Sequence, residues 1–101
     1  MSDFIKVAKK SEIPSDTGYL VLVDDLEIAL YKVEGKVFAM HARCPHQGGP
    51  MHEGGLAGKM ATCPWHGWEF DVTNGKCGFN PSIKLPTFEV KEDGEEIFIK
   101  V

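Results

Sequence analysis

Two short pairs of cysteine and histidine stand out in the sequence: Cys44 with His46, and Cys63 with His66. One residue separates the members of the first pair, two separate those of the second, and sixteen lie between His46 and Cys63. Cysteine and histidine side chains are ligands that iron and zinc favour. Their order suits a metal centre with two unlike halves, one bound through sulfur and the other through nitrogen.

Two kinds of metal centre are compatible with this ligand set. A cluster of two irons and two sulfides can take two cysteines on one iron and two histidines on the other. Structural zinc also takes two cysteines and two histidines, but zinc fingers place the cysteines together and the histidines after them. The interleaved order of the pairs therefore favours the iron cluster over zinc.

The surroundings of both pairs predict loops. Residues 42–58 hold five glycines and two prolines among seventeen residues, which predicts a stretch without strand or helix. So long a loop is uncommon in a compact domain unless it has a function, and metal binding supplies one. Pro45 and Pro64 each follow a cysteine and restrict it to extended geometry. Gly67 and the Asn74-Gly75 turn predict a second ligand loop that leads into a hairpin.

The rest of the chain predicts strands that would position these loops. Leu26, Ile28 and Leu30 alternate with other residues, which is typical of a half-buried strand. Residues 11–13 leave room for one helical turn at most. Strands are predicted over residues 19–23, 26–33, 36–40, 87–91 and 97–101, and residues 68–72 are interpreted as part of the ligand loop that leads into the hairpin. The sequence therefore predicts an all-β fold, either a sandwich or a small barrel.

Composition narrows the class of protein. The 101 residues predict one domain, 1–101, and a hydrophobic fraction of 43% with 26% charged residues excludes a disordered chain. A net charge of −4 argues against a nucleic-acid partner. No signal peptide pattern is visible and the longest apolar run is residues 20–23, so we expect no membrane association and a cytoplasmic location.

Taken with their neighbours, the two pairs resemble the cluster-binding loops of Rieske iron–sulfur proteins. The resemblance is carried by the sequences CPHQGG at residues 44–49 and CPWHGW at residues 63–68. The resemblance extends over nearly the whole chain. The chain is similar to Rieske-type ferredoxins and to the N-terminal domain of ring-hydroxylating oxygenases. The downstream motifs that contribute are Phe70-Asp71, Asn74-Gly75-Lys76, Pro81 and Leu85-Pro86.

The resemblance implies a Rieske-type antiparallel β-sandwich with a small inserted cluster-binding lobe of two loops, at about residues 41–70. It implies one [2Fe-2S] cluster per chain. Cys44 and Cys63 would bind the buried iron, and His46 and His66 would bind the outer iron near solvent. Trp65 and Trp68 would shield the cluster from water, with Trp65 partly exposed.

The resemblance also implies an electron-transfer protein rather than an enzyme. Such a carrier is a monomer that takes an electron from a flavin-dependent reductase and passes it to a terminal oxygenase. Two alternatives stay open at this point: a small Rieske subunit of another redox enzyme, similar to that of nitrite reductase, or a stand-alone archaeal-type Rieske protein.

Departures from the respiratory branch of the family predict a low reduction potential. Gly49 and Trp65 stand where quinol-oxidising Rieske subunits carry two disulfide-bonded cysteines. Trp68 and Phe70 stand where those subunits carry a serine and a tyrosine whose hydroxyls donate hydrogen bonds toward cluster sulfurs. Because such donors stabilise the reduced cluster, their loss lowers the potential.

Three further residues could suggest a metal or redox site but are interpreted as structural. His41 is expected to be a polar residue at a strand end, and His52 a solvent-exposed loop residue. Cys77 is the third cysteine of the chain, so no disulfide framework is predicted. We expect its thiol to be inert and to lie at a strand end.

Overall fold

The computed structural model describes residues 4–44, 48–65 and 67–100. Two short 3-10 helices, Lys10–Glu12 and Met51–Glu53, lie within these ranges. The strands of the described residues are β1 Ile5–Lys9, β2 Tyr19–Val23, β3 Leu26–Val33, β4 Lys36–His41, β5 Leu56–Ala57, β6 Met60–Thr62, β7 Glu69–Asp71, β8 Thr87–Asp93 and β9 Glu96–Lys100.

These strands form two antiparallel sheets. The larger sheet has six strands in the order β1-β9-β8-β4-β3-β2, and the smaller has three in the order β5-β6-β7. The predicted all-β fold is therefore confirmed. None of the helices in the described residues is long and apolar enough to cross a membrane.

A tight turn joins β3 to β4 and fixes their register. Val33 pairs with Lys36, which leaves Glu34 and Gly35 as the two turn residues. Both have positive φ, 50° and 82°. A two-residue hairpin turn with positive φ at both positions matches the right-handed twist of the flanking strands. Successive side chains of β3 point to opposite faces of the large sheet, and the fixed register determines which neighbours on β4 share each face.

Each face of the large sheet covers its own hydrophobic core. The base core lies on one face of the large sheet, and the lobe core combines residues of the opposite face with residues of the small sheet and its loops. The base core comprises Ala8, Ile13, Val21, Val23, Ile28, Leu30, Val37, Ala39, Ile97 and Ile99. The lobe core comprises Ala29, Tyr31, Met40, Ala42, Cys44, Met51, Ala61, Cys63, Phe70, Val72, Cys77 and Leu85.

Two of the sequence predictions are wrong in detail. Strand β3 is not half-buried, because Ala29 and Tyr31 on its second face are covered by the lobe. The stretch 42–58 is not devoid of elements, because it holds the 3-10 helix Met51–Glu53 and strand β5. The first difference arises because the lobe packs on the large sheet, and the second includes the pairing of β5 with β6 in the small sheet.

Candidate metal centre

Two backbone hydrogen bonds join the two ends of the first ligand loop, residues 44–49. The loop is flanked by an antiparallel bridge between Arg43 and Pro50. The N–H of Cys44 donates to the carbonyl of Gly49 at 2.9 Å, and the N–H of Gly48 donates to the carbonyl of Cys44 at 2.7 Å. Gly48 has φ +73°, a conformation that glycine adopts without strain. The loop is thus held at both ends by its own backbone.

The second ligand loop, residues 63–68, closes in the same way. The N–H of Cys63 donates to the carbonyl of Trp68 at 2.7 Å, and the N–H of Gly67 donates to the carbonyl of Cys63 at 3.0 Å. Gly67 has φ +75°. The flanking pair here is Thr62 and Glu69, where β6 joins β7. The two loops therefore share one backbone pattern, with cysteine at the first position and left-handed glycine at the fifth.

The two loops pack against each other around their cysteines. Cys44 and Cys63 are each 2% exposed and belong to the lobe core. A Cβ atom placed on Gly49 would lie 2.8 Å from Sγ of Cys63 and 3.2 Å from Cγ of Trp65. The last residue of the first loop thus needs to be glycine because the second loop lies directly against it.

The described residues fit the sulfur half of a [2Fe-2S] site. Two cysteines from matched loops enter one buried core, as two thiolates on one iron require. His46 and His66, the predicted nitrogen ligands, lie outside the described residues. Within the described ranges no group of three or more potential ligand side chains comes together. Tyr31 belongs to the same core, and within the described ranges its buried Oη has no hydrogen-bond partner.

An ion pair anchors the first ligand loop to the large sheet. The Arg43 guanidinium donates to the carboxylate of Glu27 on β3, with Nη2 2.8 Å from Oε2, and its Nη1 donates to the carbonyl of Gly48 at 3.2 Å. The Arg43 hydrogen bond holds the pKa of Glu27 below its usual value. His41 contributes locally, because its Nδ1 accepts the N–H of Arg43 at 3.3 Å.

The segment around the second 3-10 helix is bound to residues 17 and 18 and lies against β6. The N–H of Gly18 donates to the carbonyl of His52 at 3.2 Å, and the hydroxyl of Thr17 donates to the carbonyl of Gly54 at 2.7 Å. A side chain on Gly54 would overlap the carbonyl of Thr62, so this segment touches β6 directly. The prediction of a solvent-exposed His52 is wrong, since its side chain is only 18% exposed.

Aromatic side chains surround the second loop. Trp65 is 55% exposed, which confirms the prediction of partial exposure, and Trp68 is half-buried. Phe79 is 63% exposed and packs edge-on against Trp68, with 4.9 Å between ring centroids. Sequence analysis did not single out Phe79, although an aromatic residue between Gly78 and the pair Asn80-Pro81 is a usable signal of an exposed ring.

Comparison with known proteins places these features in context. The sequence model of the Rieske [2Fe-2S] domain matches residues 3–89. A ferredoxin component of naphthalene 1,2-dioxygenase/salicylate 5-hydroxylase systems from Ralstonia sp is 35% identical over 100 residues, which cover 98% of this chain and 96% of the relative.

Two solved structures have similar folds. In a complex of reduced oxygenase and oxidized ferredoxin in carbazole 1,9a-dioxygenase, one chain matches with a TM-score of 0.85 and 29% identity, covering 96% of this chain and 92% of the other. A candidate NADH-dependent nitrite reductase small subunit from Mycobacterium tuberculosis matches with a TM-score of 0.89, covering 100% of this chain and 96% of the other. Its identity is 21%, so it shows a likeness of fold alone.

Proposed function

This chain belongs to the Rieske [2Fe-2S] family, and we propose that it is a low-potential one-electron carrier between a flavin-dependent reductase and a terminal oxygenase. One observation carries the proposal: two matched backbone loops bury Cys44 and Cys63 in a single core. The chain also aligns over nearly its full length with a ferredoxin component rather than with a catalytic subunit. It is an electron-transfer protein, not an enzyme.

We propose that four residues hold the cluster. The thiolates of Cys44 and Cys63 would bind the inner iron, and the imidazoles of His46 and His66 the outer iron. The burial of both cysteines and the sequence match to the family support this assignment. We further propose that residues 1–101 form one Rieske domain, whose cluster-binding lobe spans about residues 41–70.

The residues of the chain determine the redox properties of the site. The bound cluster supplies one-electron chemistry at the iron atoms. Two neutral histidines in place of two thiolates make reduction easier than in an all-cysteine site. Phe70 is fully buried in the lobe core and, like Trp68, has no hydroxyl to donate. We therefore expect a potential at the low end of the Rieske range, which runs from about −150 to about +300 mV.

Voltammetry of the purified protein as a function of pH tests the proposal. We expect a single one-electron wave at about −150 mV at neutral pH. The midpoint should fall at alkaline pH, because the histidine ligands lose their second ring protons more readily when the iron is oxidised. A midpoint above about +100 mV would contradict a low-potential carrier. The absence of a wave, with zinc found in the protein, would overturn the cluster itself.

Electron transfer to a partner distinguishes this function from the alternative. The carbazole 1,9a-dioxygenase structure contains an oxygenase with its ferredoxin, whereas the likeness to a nitrite reductase subunit is one of fold only. We expect the reduced protein to be oxidised rapidly by a terminal oxygenase, and to form no stable complex with a nitrite reductase large subunit. We propose a cytoplasmic location, which cell fractionation tests.

A further inference from the structure

A cleft lies between residues of the large sheet and residues of the small sheet. Its volume is about 520 Å³, within the range of about 300–1,000 Å³ that is typical of small-molecule sites. One wall is formed by the β3–β4 hairpin. The other is formed by the β5–β6 turn, Gly58-Lys59, and by Thr73, which follows β7. The proposed electron transfer assigns no role to this cleft.

The direction of the strands places the cleft away from the ligand loops. Lys36, on the hairpin wall, is the first residue of β4, whereas Cys44 follows the last residue of that strand. Lys59 precedes β6, and Cys63 follows it. Because a strand rises about 3.3 Å per residue, Lys59 and Cys63 are about 13 Å apart along β6. A molecule in the cleft would therefore leave the ligand loops uncovered.

The deepest part of the cleft is apolar. Val33 and Phe38 are half-buried and pack against the lobe core, whereas the other lining residues are exposed. We call these two side chains the apolar floor of the cleft. An aromatic ring and a branched side chain thus offer a surface on which a flat apolar group can lie.

The ammonium group of Lys59 is held at one side of the cleft. Its Nζ lies 3.2 Å from Oδ2 of Asp71, and Oδ1 of the same carboxylate accepts the hydroxyl of Thr73 at 2.5 Å. Burial alone would raise the pKa of Asp71, but hydrogen bonds from Thr73 and Lys59 outweigh it and lower the pKa. The carboxylate is therefore ionised at neutral pH and positions both side chains on this wall.

The ammonium group of Lys36 is held on the opposite wall. Its Nζ lies 5.4 Å from the centroid of the Phe38 ring, a distance that permits a cation–π interaction. The preceding turn is fixed by a hydrogen bond from Lys10 to the carbonyl of Gly35. Glu34 is the single acidic side chain among the described residues that line the cleft, so the lining carries two positive charges and one negative.

We propose that this cleft binds a small aromatic carboxylate, with its charged group between Lys36 and Lys59 and its ring on the apolar floor. Charge complementarity supports an anion, because the lining has an excess of positive charge in a protein of net charge −4. The apolar floor supports a ring, because a simple inorganic anion would gain nothing from it. The cleft is separate from the ligand loops, so the proposal does not rest on the electron-carrier function.

NMR titration of the oxidised, cluster-loaded protein with sodium benzoate tests the proposal. We expect saturable shifts of the amide signals of Gly58, Lys59 and Thr73, with a Kd in the millimolar range. Benzamide has the same ring without the charge, and acetate has the charge without the ring. Both should therefore bind severalfold more weakly than benzoate. The absence of saturable shifts, or equal affinity for benzamide or for acetate, would overturn the proposal.

Substitution of the two lysines tests the placement of the carboxylate. We expect Lys36→Gln and Lys59→Gln each to raise the Kd for benzoate by up to about fivefold, because interactions of partly exposed charges are modest. Lys91→Gln is the matched control, since Lys91 lies over the rings of Phe4 and Phe98 at 6.0 and 5.9 Å but outside the cleft. It should leave the Kd unchanged. Equal weakening in all three variants would show that net charge is responsible and would overturn the proposal.

Discussion

At the scale of single residues, the three cysteines are equally buried but have different surroundings. Each is 2% exposed. Cys44 and Cys63 are the first residues of the two ligand loops, whereas Cys77 forms an isolated antiparallel backbone β-bridge with Phe70 on β7. Burial therefore does not distinguish a ligand from a structural thiol, but position in a closed loop does.

We expect Cys63→Ser to abolish the cluster, because the inner iron loses one of its two thiolates. Cys77→Ser is the matched control, since it replaces an equally buried thiol outside the loops. Iron and acid-labile sulfide contents, together with the visible circular dichroism spectrum, measure the outcome. A Cys63→Ser protein with a normal Rieske spectrum would contradict the ligand assignment.

Sequence spacing was sufficient to nominate the cysteines, because their positions in the motif are local. It could not identify Gly54, whose importance depends on contact with a segment distant in sequence. Gly54 must lack a side chain because β6 passes against it, and nothing near residue 54 in the sequence indicates this. His52 was misjudged for the same reason, since residues 17 and 18 cover its segment.

At the scale of elements, the ligand loops are held by their own backbone bonds and by ties to the sheets. We expect Glu27→Gln to loosen the first loop, because Arg43 loses a charged partner. The pair is partly exposed to solvent, so the rate of cluster loss should rise only severalfold at most. The decay of visible absorption after addition of an iron chelator measures this rate.

The control for Glu27→Gln is Glu96→Gln, which removes the exposed partner of Lys6 at 3.2 Å on the base of the large sheet. This variant should lose its cluster at the rate of the unaltered protein. Equal acceleration in both variants would show that general charge, rather than the loop anchor, is responsible.

Strands with a clear local pattern were predictable, and strands without one were not. The predicted ranges 19–23 and 26–33 agree with β2 and β3. Strands β5 and β6 have two and three residues, too few to show a periodicity. Strand β1 was also missed, because it is ordered by pairing with β9 at the other end of the chain.

At the scale of the whole molecule, Glu92 on β8 connects β4 to the 3-10 helix Lys10–Glu12. Its carboxylate accepts the N–H of Val37 on β4 at 3.0 Å and pairs with Lys10 at 2.9 Å. Lys10 also donates to the carbonyl of Gly35 in the β3–β4 turn. Burial alone would raise the pKa of Glu92, but the bonds from Lys10 and Val37 outweigh it and lower the pKa.

A carboxylate with a lowered pKa stabilises the fold above its unfolded pKa, and this contribution is lost as pH falls through the folded value. We therefore expect Glu92→Gln to lower the free energy of unfolding by about 1 kcal/mol at neutral pH. The difference in free energy of unfolding between this variant and the unaltered protein should become smaller at a pH well below 4.5, the ordinary pKa of glutamate. Urea unfolding at neutral pH and at acidic pH measures this difference. Glu95→Gln, at an exposed residue, is the control.

The exposed rings of the lobe are the expected contact with the oxygenase. Phe79 and Trp65 lie on or against the second ligand loop, and large exposed aromatic residues often dominate binding energies. We expect Phe79→Ala to raise the KM of the oxygenase for this carrier severalfold without changing the midpoint potential. Leu22→Ala is the control, because Leu22 is similarly exposed at 65% but lies on edge strand β2. Equal effects of both substitutions would contradict this docking face.

The shared backbone of the two ligand loops has a consequence for how such a site can originate. Both loops place cysteine first and left-handed glycine fifth, but histidine stands third in one sequence and fourth in the other. One hairpin loop, copied once and altered by a shift of a single side chain, would supply all four ligand positions. The asymmetry of the proposed metal site would then come from one side-chain position and not from the backbone of the two loops.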